Sequence, residues 1–176
     1  MFLINDKTNN FLSKQLTYVL SQNNQNITVS KSVYHFAAID LFFEGENICL
    51  SFESKKLISK TPISFHDFHE KLLLIISDYK ISFQEFDYFP LQQKVFNKTL
   101  MKKLTFTHSI ILNKLILSKD GIKKNDLYKT IWPGDKEIFS NKLDTHLTNL
   151  KNIFNNELKC SLNYFSKNGL LRLLIN

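Results

Sequence analysis

The sequence predicts two domains of different class: an α/β domain over residues 1–80, and an α+β domain over residues 85–176 in which an antiparallel sheet precedes three helices and a hairpin. Three observations predict this. Short apolar runs alternate with helix-spaced stripes in the first half; the apolar period falls toward two between Ile81 and Phe106; and after Thr107 three helix-spaced segments lead into two runs around Ser166-Lys167-Asn168-Gly169. The 176 residues suffice for two small domains, and 43% hydrophobic with 22% charged residues excludes a disordered or fibrous chain. The longest aliphatic run, Leu72 to Ile76, is too short to span a bilayer, so no membrane partner is expected. Met1 to Asp6 lacks the basic start of a secretory signal. Cys49 and Cys160 have no metal-ligand spacing and suit buried thiols in a reducing compartment, so the expected location is the cytoplasm.

The elements follow in order. Met1 to Asn5 is a strand-length apolar run, and Asp6 to Asn10 supplies turn and cap formers. Phe11, Leu12, Leu16, Val19 and Leu20 predict a helix that Asn23 to Asn26 stops. Ile27-Thr28-Val29 reads as a second strand, Val33 to Phe43 as a helix or an irregular apolar stretch, and Ile48 to Phe52 as a third strand after the Glu44 to Asn47 turn. After Leu57 to Lys60 and Thr61-Pro62, the capping box Ser64-Phe65-His66-Asp67 opens a helix with Phe65, Phe68, Leu72, Ile75, Ile76 and Tyr79 on one face. Short antiparallel strands are expected around Phe86, Tyr88, Val95, Phe96 and Leu104. Thr107 is expected to cap a helix through Ile116, with Asp120-Gly121 as its C-cap. Lys124 to Trp132 is a short second helix stopped by Pro133-Gly134, and Ser140 is expected to cap a third with the stripe Leu143, Leu147, Leu150 and Phe154. Leu162 to Phe165 and Leu170 to Ile175 close the chain as a hairpin.

Charge divides the chain unevenly. Through Gln84, eight lysines face eight acids; the remaining 15 of 23 basic residues face only 8 of 16 acids, so the whole formal +7 belongs to the C-terminal part. A basic excess in one domain suits a polyanion, because neutralised phosphates release counterions. A basic surface serving only solubility is the plain alternative.

Sheet, three helices and hairpin is the order of a winged helix-turn-helix, and the residues resemble the OmpR/PhoB-type response-regulator effector domain over most of residues 85 to 176. Leu104-Thr105-Phe106-Thr107 resembles that family's helix opening Leu-Thr-Pro-x, and Ile122 to Trp132 resembles its Val-Ser-x-x-x-Leu-x-x-x-Val-Trp second helix. Leu143-Asp144-Thr145-His146-Leu147-Thr148-Asn149-Leu150-Lys151 is similar to Val-Asp-Val-His-Ile-x-Arg-Leu-Arg, and Lys167 to Leu173 resembles the closing wing. The resemblance implies that the third helix enters the major groove of double-stranded DNA with Asn141, Lys142, Thr145, His146, Thr148, Asn149, Lys151 and Asn152 outward, His146 on a phosphate and Lys167 at the minor groove. Asn149 falls where the family carries a base-reading Arg; Asn pairs with adenine, so an A·T-leaning site is expected. The loop Pro133, Gly134, Asp135, Lys136 and Glu137 lies where the family can contact RNA polymerase.

The N-terminal part resembles a shortened receiver domain, with Asn5-Asp6 where the acidic pair belongs and Leu57 to Pro62 like the family's last strand, Lys-Pro and helix. Ile48 to Phe52 ends without an Asp, so the resemblance implies lost phosphorylation and retained dimerisation through the helix after Pro62. No cofactor, metal or catalytic set is expected, since His35, His66, His69, His108 and His146 form no ligand motif and no phosphate loop or nucleophile triad is present. A protein-interaction module with an incidental basic surface is the competing function.

Overall fold

The computed structural model describes residues 2–8, 27–28 and 36–174, which fall into two units, Met1–Tyr79 and Lys80–Asn176. In the first unit, β1 (Phe2–Asp6), β2 (Ile27–Thr28), β3 (Ala38–Glu44), β4 (Asn47–Phe52) and β5 (Lys55–Lys60) make a sheet of order β2-β1-β3-β4-β5. Strand β1 pairs in parallel with β2 and β3, whereas β3, β4 and β5 form an antiparallel meander. Helix α1 (Phe65–Ile76) follows, its N-cap Ser64 accepting from the Asp67 N–H at 3.0 Å. Burying Phe68, Leu72, Ile75 and Ile76 stabilises the helix by roughly 1.5–3 kcal/mol per side chain. Phe2, Phe52 and Tyr79 pack edge-to-face, with ring centres 5.1 to 6.1 Å apart.

Three expectations are corrected in this unit. The stretch read as a helix or irregular run, Val33 to Phe43, contains strand β3 from Ala38 onward. Ile39 and Leu41 are buried while Asp40 between them reaches Asn5 and Lys7, so the working period is two. Alternation of β and α also stops at β3, because the Gly45-Glu46 turn reverses β3 directly into β4 and Glu53, at a positive φ of 52°, reverses β4 directly into β5. Phe65, assigned to the buried face, is exposed at the first turn of α1. The helix read over Phe11 to Leu20 lies outside the described residues, as do Val29 and Ile175.

In the second unit, β6 (Ile81–Ser82), β7 (Asp87–Phe89), β8 (Lys94–Asn97) and β9 (Leu100–Lys103) form a four-stranded antiparallel sheet in chain order. Helices α2 (Phe106–Leu117), α3 (Lys124–Ile131) and α4 (Ser140–Asn152) follow, α4 running into a π-helical turn over Ile153–Glu157. A short strand that the sequence pattern does not signal, β10 (Ile122–Lys123), lies between α2 and α3. The chain closes with β11 (Tyr164–Lys167) and β12 (Leu170–Leu173), and β10 adds to this hairpin in the order β10-β12-β11. The core joins Tyr88 and Val95 of the sheet, Ile111, Leu112 and Leu115 of α2, Leu127 of α3, and Leu143, Leu147, Leu150 and Phe154. Inside it, the Tyr88 hydroxyl donates to Asn113 Oδ1 at 2.6 Å and lies 2.9 Å from Ser109 Oγ. That satisfies three polar groups away from water.

The helix boundaries differ from expectation too. The N-cap of α2 is Thr105, whose extended backbone sets its hydroxyl on the His108 N–H at 3.3 Å; Thr107 sits inside the first turn. Gly121 is not the C-cap of α2, which ends at Leu117 with Ser118 as cap. Its φ of +97° serves a close approach instead, since a Cβ there would lie 2.9 Å from the Leu171 carbonyl oxygen and force β10 off β12. Ser140 is the first helical residue of α4, after Phe139, which supplies no side-chain cap. The closing turn is two residues, Asn168-Gly169, both at positive φ as a type I′ hairpin requires.

Candidate nucleic-acid interface

Helix α4 packs on α2 and α3 through Leu143, Leu147 and Leu150, which leaves the opposite side free. Asn141, Thr145, Thr148, Asn149 and Asn152 are exposed there, and Lys151 is exposed at the margin. These positions recur three or four residues apart, so they form one strip of amides and hydroxyls without an acid. The Thr145 hydroxyl donates to the Asn141 carbonyl at 2.8 Å and keeps its acceptor lone pairs outward.

Lys124 ties this helix to the hairpin. Its ammonium meets Asp144 of α4 at 2.6 Å, and its backbone N–H donates to the Gly169 carbonyl at 2.7 Å. The first residue of α3 thereby sets the closing turn, and exposed Lys167 beside it, against the flank of α4. It also neutralises the carboxylate nearest the polar strip.

Two residues assigned to the outward face are turned away from it. His146 is half-buried, with its ring 5.4 Å from Trp132 and 5.5 Å from His108 and its Nδ1 enclosed without a hydrogen-bond partner. A phosphate contact through that nitrogen is therefore ruled out. Lys142 bends over the Trp132 ring, 4.3 Å from its centre, and bonds Asp135 at 2.9 Å. The physical reason is shared: positions 142 and 146 sit one turn apart at the edge of the apolar stripe, where an aromatic C-cap on α3 offers more burial than water does.

His108 completes this inner cluster. It is only 7% exposed, and both ring nitrogens lack partners. Burial, and secondarily the neighbouring His146, hold its pKa below the usual value, so it is neutral at pH 7. No sequence signal marks the pair, because the two histidines are far apart in the chain.

The loop Pro133, Gly134, Asp135, Lys136 and Glu137 is exposed, together with Ile138 and Phe139. Asp135 is anchored by the Tyr128 hydroxyl and by Lys142, which together hold its carboxyl below the usual carboxylate range. That leaves Lys136 and Glu137 as the charges the loop offers outward.

In the first unit, the strand running parallel beside β1 toward the sheet's centre is β3, not the Ile48 to Phe52 segment to which the missing acid was referred, and it carries Asp40. Asp40 accepts from the Asn5 amide at 2.8 Å and pairs with Lys7 at 2.7 Å, and the Lys7 bond holds its carboxyl below the ordinary range. Asp6 accepts from the Thr8 N–H and hydroxyl. His66 is exposed on α1 and His69 stacks on Phe65, and among the described residues no three potential ligands converge on a metal position. Both thiols are buried; burial raises Cys49, and burial with the nearby Glu85 pushes Cys160 up to about 11. Neither thiol is ionised near neutral pH. No helix among the described residues is long and apolar enough to cross a membrane.

No protein-family model and no curated protein matches the chain. Solved structures similar to it include a RitR mutant and a chain described as one of a novel family of streptococcal redox sensors evolved from two-component response regulators. Each is 12% identical with a TM-score of 0.46, and the match covers 99% of this chain and 66% and 67% of those chains. This chain thus spans about two thirds of their length.

Proposed function

We propose that the chain is a sequence-specific, duplex-DNA-binding transcriptional regulator of the OmpR/PhoB response-regulator type, in which Lys80–Asn176 acts as a winged helix-turn-helix. The observation that carries this reading is the polar strip on α4, an acid-free row of Asn and Thr side chains set on a buried leucine stripe. Helix α4 would lie in the major groove with Asn149 and Asn141 toward adenine edges and Thr145 and Thr148 toward thymine methyls or phosphates. Lys151 and Lys167 would take backbone phosphates, Lys167 from the hairpin that Lys124 positions. Lys142 and His146 act by seating the helix rather than by touching DNA.

The N-terminal unit serves as a phosphorylation-independent dimerisation domain. Support comes from Asp40 and Asp6 being engaged by Lys7, Asn5 and Thr8, and from exposed Phe65 and Leu74 on α1. Two copies would present two α4 helices to half-sites about one DNA turn apart. Exposed Ile138 and Phe139 beside Lys136 and Glu137 make the loop before α4 the surface offered to RNA polymerase.

A second reading, a protein-interaction module, is favoured by one observation: with Lys142 turned inward, Lys151 is the lone cation among the described residues on the exposed side of α4. Retention of fragmented AT-rich genomic DNA by the full chain at two salt concentrations separates the two. Recovery of a recurring repeat at the higher salt is the expected result. Binding that disappears with salt and enriches no motif would sink the regulator and leave the interaction module.

A further inference from the structure

A second surface of the Lys80–Asn176 unit, on the four-stranded sheet, has a composition of its own. Cross-strand pairing places Asp87, Phe96 and Met101 in one row, and Phe89, Lys94 and Lys103 in the next. Directly paired residues share a face. Tyr88 and Val95, the alternate positions, are buried, Tyr88 on Ser109 and Asn113 of α2, so these two rows stand on the opposite, outer face. There Phe89 and Phe96 are half-buried and meet edge-to-face at 5.3 Å, and Met101 is 51% exposed.

The charge on this face is one-sided. Asp87 is taken by Lys80 at 2.8 Å, while Lys94 and Lys103 form no ion pair among the described residues. Beside Phe96 a cleft of about 1110 Å³ opens, walled by Phe83, Asn155, Lys98 and Lys159. Glu85 at its rim is occupied by the Ser161 N–H at 2.6 Å, whereas Lys98 and Lys159 are exposed and make no ion pair among the described residues. The surface therefore sets aromatic side chains beside lysines that make no ion pair among the described residues.

We propose that this outer sheet face and its cleft bind a single-stranded nucleic acid, with bases stacking on Phe96 and Phe89 and phosphates following Lys94, Lys103, Lys98 and Lys159. An acidic protein segment would satisfy the lysines but leave the aromatic rings without a role. A duplex would satisfy the lysines too, but its bases are already stacked on one another and cannot stack on a protein ring. Only an unpaired strand supplies both a polyanionic backbone and free base faces. The surface is distinct from the polar strip of α4, and the proposal stands whether or not α4 reads duplex DNA.

The test is fluorescence anisotropy of the full chain with labelled oligothymidylate and oligouridylate of about 12 nucleotides, at several salt concentrations. Phe96→Leu keeps an apolar side chain but removes the ring, and is expected to weaken binding about tenfold, within the range for loss of one stacked base. Lys94→Gln with Lys103→Gln is expected to lower the salt slope by about 1.4, at about 0.7 for each phosphate no longer neutralised. Tighter binding of the uridylate would assign the site to RNA through its 2′-hydroxyl, and tighter binding of the thymidylate to DNA. The proposal is overturned by absence of single-strand binding at low salt, by unchanged affinity in a correctly folded Phe96→Leu, or by equal competition from polyglutamate, which would make the face a docking site for acidic protein.

Discussion

Replacing Lys142 with alanine removes an ammonium 4.3 Å from the centre of the Trp132 ring and 2.9 Å from Asp135, on a side chain 38% exposed. At a partly exposed site the cation–π contact is worth about 0.5–1 kcal/mol. The ion pair adds about 0–1 kcal/mol, reduced here because water screens both partners. The expected cost is therefore about 1 kcal/mol of stability. In a unit of this size that corresponds to roughly a 4–8 °C fall in Tm. Because Lys142 is spent on Trp132 and Asp135, the salt dependence of DNA binding should not change. Lys151→Ala is expected to do the reverse. It removes an exposed side chain with no ion pair among the described residues, so stability should shift by less than about 0.5 kcal/mol. The slope of log affinity against log salt should fall by about 0.9, one phosphate's worth of counterion release. Calorimetry of both variants, with anisotropy titrations on a retained genomic fragment at several salt concentrations, reads both quantities. If Lys142→Ala kept the native Tm and flattened the salt slope, Lys142 would be a phosphate contact and the inward seating of α4 would be wrong.

Other consequences follow from the same geometry. Asn149→Arg should move the preferred base at one position from adenine toward guanine by about 1–3 kcal/mol, and an unchanged motif among retained fragments would remove Asn149 from the base-reading set. His108 resists protonation in the fold, while an unfolded histidine charges below about pH 6.5, so its contribution is full above that value and is lost as the pH falls below it. His108→Leu should flatten the stability profile between about pH 7 and pH 5, and a profile as steep as the parent's would show that other groups set it. Tyr88→Phe leaves Asn113 Oδ1 buried without its donor and should cost about 1–3 kcal/mol in urea unfolding; a change under about 0.5 would mean the cluster relaxes freely. Acetyl phosphate should leave the chain unmodified, and a phosphoryl group mapped to Asp40 would refute phosphorylation independence.

The legible parts of the fold were those where one period dominated. The stripe Leu143, Leu147, Leu150 and Phe154 is buried as its spacing required, and the Ser64 cap and the Asn168-Gly169 turn formed because their chemistry is satisfied within a few residues. Where two local signals competed, the reading failed. Thr105 and Thr107 are both capping residues, and only the extended backbone at Thr105, which sets its hydroxyl on the His108 N–H, selects the first. Val33 to Phe43 is apolar enough for a helix, and its conversion to strand β3 from Ala38 onward depends on pairing with β1 and β4.

The candidate site divides along the same line. Composition placed the basic excess in the C-terminal part, and helical spacing alone put Asn141, Thr145, Thr148, Asn149 and Asn152 on one exposed side of α4. Spacing could not say what becomes of residues at the stripe's margin. Lys142 and His146 read as outward, and tertiary packing turned them onto Trp132 and His108, which come from the end of α3 and from α2. Likewise, no local pattern joins Lys124 to Gly169 and Asp144, or sets Phe89, Phe96 and Met101 on one face. A side chain's periodicity is a property of its own segment and is written there. Its partner belongs to whichever distant segment the collapsed core brings alongside, and only the folded chain chooses that.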